Sequence, residues 1–405
     1  MTDALAIDGG APVRSTPMPT WPSPSEAQIE AVTAVLRSGH INYWTGTEGR
    51  SLEQEYADEL GRSHAIAVAN GTLALELALR GFGIGPGDEV VVPARTFMAT
   101  AGCVIAVGAR PVFADIDPES SDLTARTLAA VITERTAAVV IVHVAGWPAE
   151  TDPITQLARE HDLVVIEDCA QAHGATYRGR PVGSFGDAAC FSFCQDKIIA
   201  AGEGGLLALD NDAAYERAWE YRDHGASFEK VSDPEFIGRP ASFRWIHDSF
   251  GSNYRLPELE AAMVRVGRRE LPAAHARRTE LATRLARGLA GLHGITVPLP
   301  PSHCEHAFYR LYAYVRPGEL ASGWDRDRVL FAIAAEGVPV QYGSCAELYR
   351  EEAFVRAGLG PAKRLPGAAL AHETSLAFFV HPTLADADID DTIAAVRKVM
   401  KVAAS

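Results

Sequence analysis

Four short stretches carry side chains that can do chemistry. The first is Gly183–Gly205, GSFGDAACFSFCQDKIIAAGEGG, with Lys197 towards its middle and Ser192 five residues upstream. A lysine between an apolar run and a tight Gly-Glu-Gly-Gly turn is suited to form a Schiff base with a carbonyl. Its plainer reading is a solvated surface amine. The second is Glu167-Asp168-Cys169-Ala170-Gln171. An acid at a buried strand end is costly unless paired, and a protonated pyridine nitrogen would pair it. Gln171 can reach a ring hydroxyl, while Asp168 can equally cap a helix. The third is Pro93-Ala94-Arg95-Thr96-Phe97, where Phe97 is a stacking platform for a flat ring or a core residue. The fourth is Asn70-Gly71-Thr72, followed by Leu73, with Gly71, Thr72 and Leu73 as candidate contacts to a bound cofactor. There a glycine permits close backbone approach, and the amides of a helix's first turn attract a phosphate; the same triplet also caps helices that bind nothing.

The elements around these stretches place them. Gly and Pro in Ile7–Pro22 argue for an extended arm. Ser25–Arg37 is a helix capped by Ser25, with Ile29, Val32, Val35 and Leu36 as its apolar stripe, and Leu52–Leu60 is a second. Strands then alternate with helices. The predicted strands are His64–Ala69, Glu89–Pro93, Pro111–Asp115, Ala138–Val142, Leu163–Glu167 and Ala188–Phe193. The predicted helices are Thr72–Arg80, Thr96–Val107, Leu123–Thr133 and Asp152–His161. Runs apolar throughout, such as Ala138–Val142, belong to sheets covered on both faces. The alternation implies a parallel α/β sheet, whose ligands gather at the carboxyl ends of the strands. All four stretches fall at or near such ends. A phosphate cradle, a ring stacker, a ring-nitrogen acid and a lysine, in that order, describe a site for pyridoxal phosphate.

Composition bounds the rest. A chain of 405 residues is long for one core and points to two domains. A net charge of −15 speaks against nucleic acid as a partner. No apolar run approaches a membrane span, and the first thirty residues lack a signal-peptide pattern. The six cysteines show no paired metal-type spacing, so no metal is expected and a reducing, cytoplasmic setting is.

With these motifs, the chain resembles the DegT-type sugar aminotransferases, a group of fold type I pyridoxal-phosphate enzymes. The likeness runs from Gly9 to about Leu384. The family's phosphate turn is matched by Gly71-Thr72, and its TF/TW-x-AT motif by Thr96–Thr100 with Phe97 on the ring. Its EDxAQxHG motif is matched by Glu167–Gly174. Its FSF…K…EGG motif is matched by Phe191–Gly205, with Ser192 on the phosphate and Lys197 as the Schiff-base lysine. Its GxNYRxxELxAA motif is matched by Gly251–Ala262. The family's asparagine there reaches the phosphate of the neighbouring subunit, so Asn253 implies a homodimer with shared sites.

The resemblance also implies an arm and large pyridoxal-phosphate domain over residues 1–265, with a mostly parallel seven-stranded sheet. A smaller α+β domain over 266–405 would follow. Leu271–Leu289 reads independently as a linking helix, Phe308–Val315 and Val338–Tyr342 as strands, and Ile389–Val402 as a final helix. The implied activity moves an amino group from glutamate or glutamine to a keto-sugar (nucleotide-linked) or keto-cyclitol, in amino-sugar, glycan or antibiotic biosynthesis. Lys197 would be acid and base, and Asp168 would keep the ring nitrogen protonated. Arg222, His224 and Arg255 are candidates for a carboxylate or diphosphate, or structural ion-pair partners. Trp44 is a candidate wall for the acceptor, with Tyr342 and His306 as weaker ones. Two features depart from the family. Asp196 stands before Lys197, where it could favour the ammonium form or contact a substrate but is expected to point into solvent, and Trp147 fills a position often smaller. The alternatives are another reaction on the same scaffold (an aminohydroxybenzoate-type synthase or an oxidase) and a regulator that binds the cofactor without turnover.

Overall fold

The computed structural model describes residues 4–237 and 245–404. Seven strands form the main sheet: β1 (His64–Val68), β2 (Glu89–Pro93), β3 (Arg110–Ala114), β4 (Thr136–Val142), β5 (Val164–Asp168), β6 (Ala188–Ser192) and β7 (Gly205–Leu209). Their order is β1-β7-β6-β5-β4-β2-β3. Only β7 runs against its neighbours; the others point one way. The architecture is α/β with a mostly parallel sheet, as expected.

The all-apolar strands are buried on both faces because successive side chains alternate. Val140 and Val142 pack with Ile166 on one face, and Val139 and Ile141 with Val165 on the other. The chain leaves β2 for β3 on one side and returns to β4 on the other. That reversal opens a crevice at the carboxyl ends of β2 and β4, where ligands of such sheets bind.

A second, antiparallel sheet of four strands follows: Ile295–Thr296, Arg310–Val315, Ser375–Phe379 and Val340–Gln341. Helices Arg326–Ala335 and Asp386–Ala403 contribute Ile333 and Val396 to its core beside Leu311 and Phe378. One 32-residue helix, Glu258–Leu289, runs without a break through residue 265 despite Pro272. Among the described residues no helix is long and apolar enough to cross a membrane.

Three expectations are corrected. Of the helix expected over Leu123–Thr133, only Ala125–Ala129 forms. Thr124 and Thr127 cap its start reciprocally, while Thr133 and Thr136 bond to each other's segment in a turn ahead of β4. The strand expected from Phe308 begins at Arg310, because Phe308 adopts a φ of 49°. The first helix, Glu26–Ser38, has its Ser25 cap, but Ile29 and Leu36 of its stripe are exposed.

The arm is irregular as expected, yet anchored. Leu5 is buried in the smaller core, and Glu336 accepts from the Ala6 and Val13 amides. Arg14 pairs with Asp388 and Asp391. At its far end the Trp21 indole donates to the backbone carbonyl of Lys197 at 2.8 Å.

Candidate active site

A cavity of about 560 Å³ opens at the carboxyl ends of β2, β4, β5 and β6. It gathers Gly71, Thr72, Phe97, Asp168, Gln171, Ser192 and Lys197, residues spread over more than a hundred positions of sequence. Each is delivered by a strand end, by the first turn of the following helix, or, for Gln171 and Lys197, by the loop after a strand.

The helix Gly71–Gly81 starts at the cavity, capped by Asn70, whose side chain accepts from the Leu73 amide at 3.0 Å. Leu73 therefore spends its N–H on the cap and does not line the cavity. The amides that remain at the mouth are those of Gly71 and Thr72. Gly71 is required there: a Cβ on it would stand 2.7 Å from the Ser192 Cβ. Helix start and serine hydroxyl thus form one tight cradle, suited to phosphate.

Asp168 ends β5 and is buried. It accepts from the Thr100 hydroxyl at 2.9 Å and from the Ala170 amide at 3.2 Å. Burial outweighs these donors and pushes its carboxyl up from the usual range. Such a group is under-compensated, and a cationic ring nitrogen is the partner that would hold it ionised. Phe97 stands at the rim, 68% exposed. A phenyl ring left that bare beside a cavity fits a stacking platform better than core. Gln171 accepts from the Ala145 amide at 2.7 Å and donates to the Ser344 hydroxyl at 3.3 Å, tying the large sheet to the small one.

Lys197 lies on the loop after β6, its side chain 16% exposed. Its Nζ is 3.1 Å from an Asp196 oxygen and 5.1 Å from the centre of the Tyr309 ring. Asp196 is half-exposed but paired, rather than simply pointing into solvent. It turns inward because the Tyr309 hydroxyl donates to it and two cations face it, Lys197 and, at 4.0 Å, Arg310. Partial burial opposes its charge, but the Lys197 ammonium and the Tyr309 hydroxyl hold its carboxyl below the usual range.

The expected substrate residues fall elsewhere. Arg222 is wholly buried, paired with Glu53 at 3.0 Å and stacked on Tyr43 at 4.2 Å, so in this chain it is a packing cation. Trp44 packs edge-on against Tyr43 and Trp219 beside a separate pocket of about 370 Å³. Arg255 pairs with Asp223. His224 and Asn253 are exposed, and Asn253 accepts weakly from the Arg255 amide at 3.5 Å. Tyr342 is half-exposed, with the Arg326 guanidinium 4.4 Å over its ring. His306 is stacked on Phe308, and burial pushes its imidazole down to about 3, which suits packing rather than proton transfer. Trp147 lies edge-on to that imidazole.

Sequence reasoning missed the opposite wall. Arg310, Tyr312 and Gln341 of the smaller sheet line the cavity with the flanking Tyr309, Gly343 and Ser344, as does Glu203 of the glycine turn. The polar ends of Tyr309-Arg310, at the start of a strand otherwise apolar, were the available signal.

His143, Glu167 and Cys169 also bring ligand-type atoms within 4.8 Å of one another. Glu167 is already saturated, accepting from the amides of Gly183, Phe185 and Gly186 and from His143. This cluster clamps the end of β5 rather than holding a metal.

An amine, an under-compensated buried acid, a bare ring and a phosphate cradle in one cavity fit pyridoxal phosphate. Residues 22–397 match the DegT/DnrJ/EryC1/StrS aminotransferase family, and the chain belongs to it. It is 33% identical over 420 residues to the L-glutamine:scyllo-inosose aminotransferase of Streptomyces griseus, covering 99% of this chain and 98% of that one. It is 36% identical over 345 residues to the L-glutamine:2-deoxy-scyllo-inosose aminotransferase of Streptoalloteichus tenebrarius, covering 83% of this chain and 80% of that one. The crystal structure of an aminotransferase from Psychrobacter cryohalolentis superposes with a TM-score of 0.90 at 43% identity, covering 94% of this chain and 98% of that one.

Proposed function

We propose that the chain moves the amino group of glutamine to a keto-cyclitol, yielding an aminocyclitol for an antibiotic-type pathway. The observation that carries this reading is the end-to-end likeness to a glutamine:scyllo-inosose aminotransferase. The cofactor, when bound, supplies an electron sink for the donor's α-carbon. The protein's residues do the rest. Gly71, Thr72 and Ser192 would hold the phosphate, and Phe97 would stack on the ring. Asp168 keeps a proton on the ring nitrogen, supported by Thr100. Lys197 Nζ would take the proton from the donor's α-carbon as general base and hand it back as general acid. The donor leaves as a keto acid, and the same steps run backwards on the acceptor. One cavity thus serves two substrates in turn, with ping-pong kinetics.

In the same reading residues 1–265 form the cofactor domain and 266–405 the domain that closes over it. A second copy completes the site, which accounts for Asn253, His224 and Trp44 standing clear of this chain's own cavity. The test is direct. Purified protein with cofactor and glutamine is offered scyllo-inosose, 2-deoxy-scyllo-inosose and a panel of nucleotide-linked keto-sugars, and products are read by mass spectrometry. Amination of a cyclitol is the expected result. Amination confined to nucleotide-linked sugars would overturn the acceptor, and no glutamine-dependent loss of the cofactor's absorbance band would overturn the donor.

A further inference from the structure

The cavity needs a cation for the donor's α-carboxylate, against a protein of net charge −15. Lys197 is committed to the cofactor. Among the described residues lining the cavity, one guanidinium remains, that of Arg310 on the small-sheet wall. We propose that Arg310 anchors the α-carboxylate of the amino donor. The proposal rests on the reading above in one respect, that the donor is an amino acid.

Arg310 is built for such a task. Its guanidinium lies 4.2 Å from the centre of the Tyr309 ring and 4.4 Å from that of Phe379, held flat between two aromatic side chains. One of its nitrogens donates to the Tyr309 carbonyl at 2.8 Å, which fixes its rotation. The side chain is 12% exposed, so it is largely desolvated, yet it opens on the cavity. A guanidinium offers five N–H donors in a planar fork that matches a carboxylate. The nearest acid, Asp196, stands 4.0 Å away, at the outer limit of an ion pair, and already takes Lys197 and the Tyr309 hydroxyl. Most of the fork therefore remains for a ligand.

The placement also suits an amino acid. Arg310 and Lys197 face the same Asp196 carboxylate, so carboxylate anchor and reacting amine are separated by little more than that one group. The other arginines considered for this task stand off the cavity: Arg222 is wholly buried beside Glu53, and Arg255 pairs with Asp223. Tyr309 serves both neighbours, clamping Asp196 with its hydroxyl and Arg310 with its ring and carbonyl. Asp196 and Tyr309 are then positioning residues for the anchor.

The test separates binding from turnover. Glutaramate is glutamine without its α-amine: it keeps the carboxylate and cannot react. Glutaramide is its neutral counterpart. Both are titrated calorimetrically into cofactor-loaded wild type, Arg310→Gln and Arg310→Lys, with the thermal transition and the cofactor absorbance band checking that each variant is folded and loaded. Wild type is expected to prefer glutaramate to glutaramide. Arg310→Gln is expected to bind glutaramate about 100-fold more weakly, with glutaramide unchanged, and Arg310→Lys to recover roughly a tenth of the loss in affinity. In parallel, kcat/KM for glutamine falls about 100-fold in Arg310→Gln while the acceptor half-reaction stays within about threefold. Glutaramate binding unchanged in Arg310→Gln would overturn the anchor. So would a loss confined to the acceptor half-reaction. Wild type that binds glutaramate through Arg310 but never turns over glutamine would instead overturn the proposed donor and leave the anchor standing.

Discussion

Glu167 and Asp168 are adjacent carboxylates at the end of one buried strand, and they live in opposite electrostatic worlds. Strand alternation turns them to opposite faces of the sheet. Glu167 meets three backbone amides and His143, with Arg62 at 3.8 Å, and against the cost of burial these donors hold its carboxyl below the usual range. Asp168 meets one hydroxyl and one amide, and burial pushes it up. The saturated acid is a fastener. The unsaturated one, facing the cavity, has capacity left for a ligand. Burial of a charge thus does not mark function; incomplete compensation beside open space does.

The comparison can be broken at its functional end first. Lys197→Ala should cut turnover by at least about 10⁴-fold, because the same amine binds the cofactor and moves the proton. Single-turnover spectroscopy of the loaded variant checks this, and residual turnover near wild type would remove Lys197 from its role. At the fastener end, Glu167→Gln should cost about 3 kcal/mol of stability, since an amide cannot accept from all the donors aimed at it. Denaturant titration reads the loss. Turnover per folded, loaded molecule should stay close to wild type, and a large fall would mean Glu167 acts on the chemistry as well.

Asp168→Asn should do the reverse. Turnover falls about 100-fold with the ring nitrogen no longer held protonated. Cofactor-free protein, relieved of an under-compensated charge, gains roughly 1–2 kcal/mol. A destabilised cofactor-free variant would refute the reading of Asp168 as an unsatisfied acid.

The two acids also tilt stability oppositely with pH. Glu167, with a lowered folded value, contributes stability above the usual glutamate range, and that contribution is lost as pH falls through its folded value. Asp168, with a raised folded value, binds its proton more tightly when folded. Its contribution is present below the usual aspartate range and is lost as pH rises through its folded value. Thermal transitions of cofactor-free protein across acid pH should therefore lose their alkaline decline in Asp168→Asn and their acid decline in Glu167→Gln. The smallest effect belongs to Thr100→Val, which removes the hydroxyl on Asp168 and should weaken cofactor binding by about 1 kcal/mol, measured by fluorescence titration.

Much of the large-sheet half of this picture was legible beforehand. β2 was read to the residue, and most of the other strands to within two, because an apolar run bounded by turn residues has few alternative structures. The site residues on those strands were legible for a related reason. Gly71, Phe97, Asp168 and Ser192 each sit within a few positions of a strand's carboxyl end, and parallel topology brings all such ends to one edge. Leu73 shows a local competition: Asn70 takes its amide for the helix cap, and the residue stands off the cavity. The helix over Leu123–Thr133 failed similarly, to the threonines that cap and end it.

The wall built by residues 309–344 was not legible. Tyr309 and Arg310 lie more than a hundred residues beyond Lys197, and nothing in the local pattern says which face of their strand meets the cavity. Asp196 shows the consequence most clearly. Alone, a carboxylate beside a glycine-rich turn prefers water. It turns inward only because Tyr309, Lys197 and Arg310 converge on it.

By itself, then, the sequence determined the alternating α/β order, the cofactor motifs and the family, because each is written in contiguous residues with short-range geometry. Tertiary structure alone decided which acid is saturated, which arginines stand off the cavity and which one faces it. Those outcomes depend on the sum of distant donors and charges around a buried group, and that sum exists only after the sheets have packed.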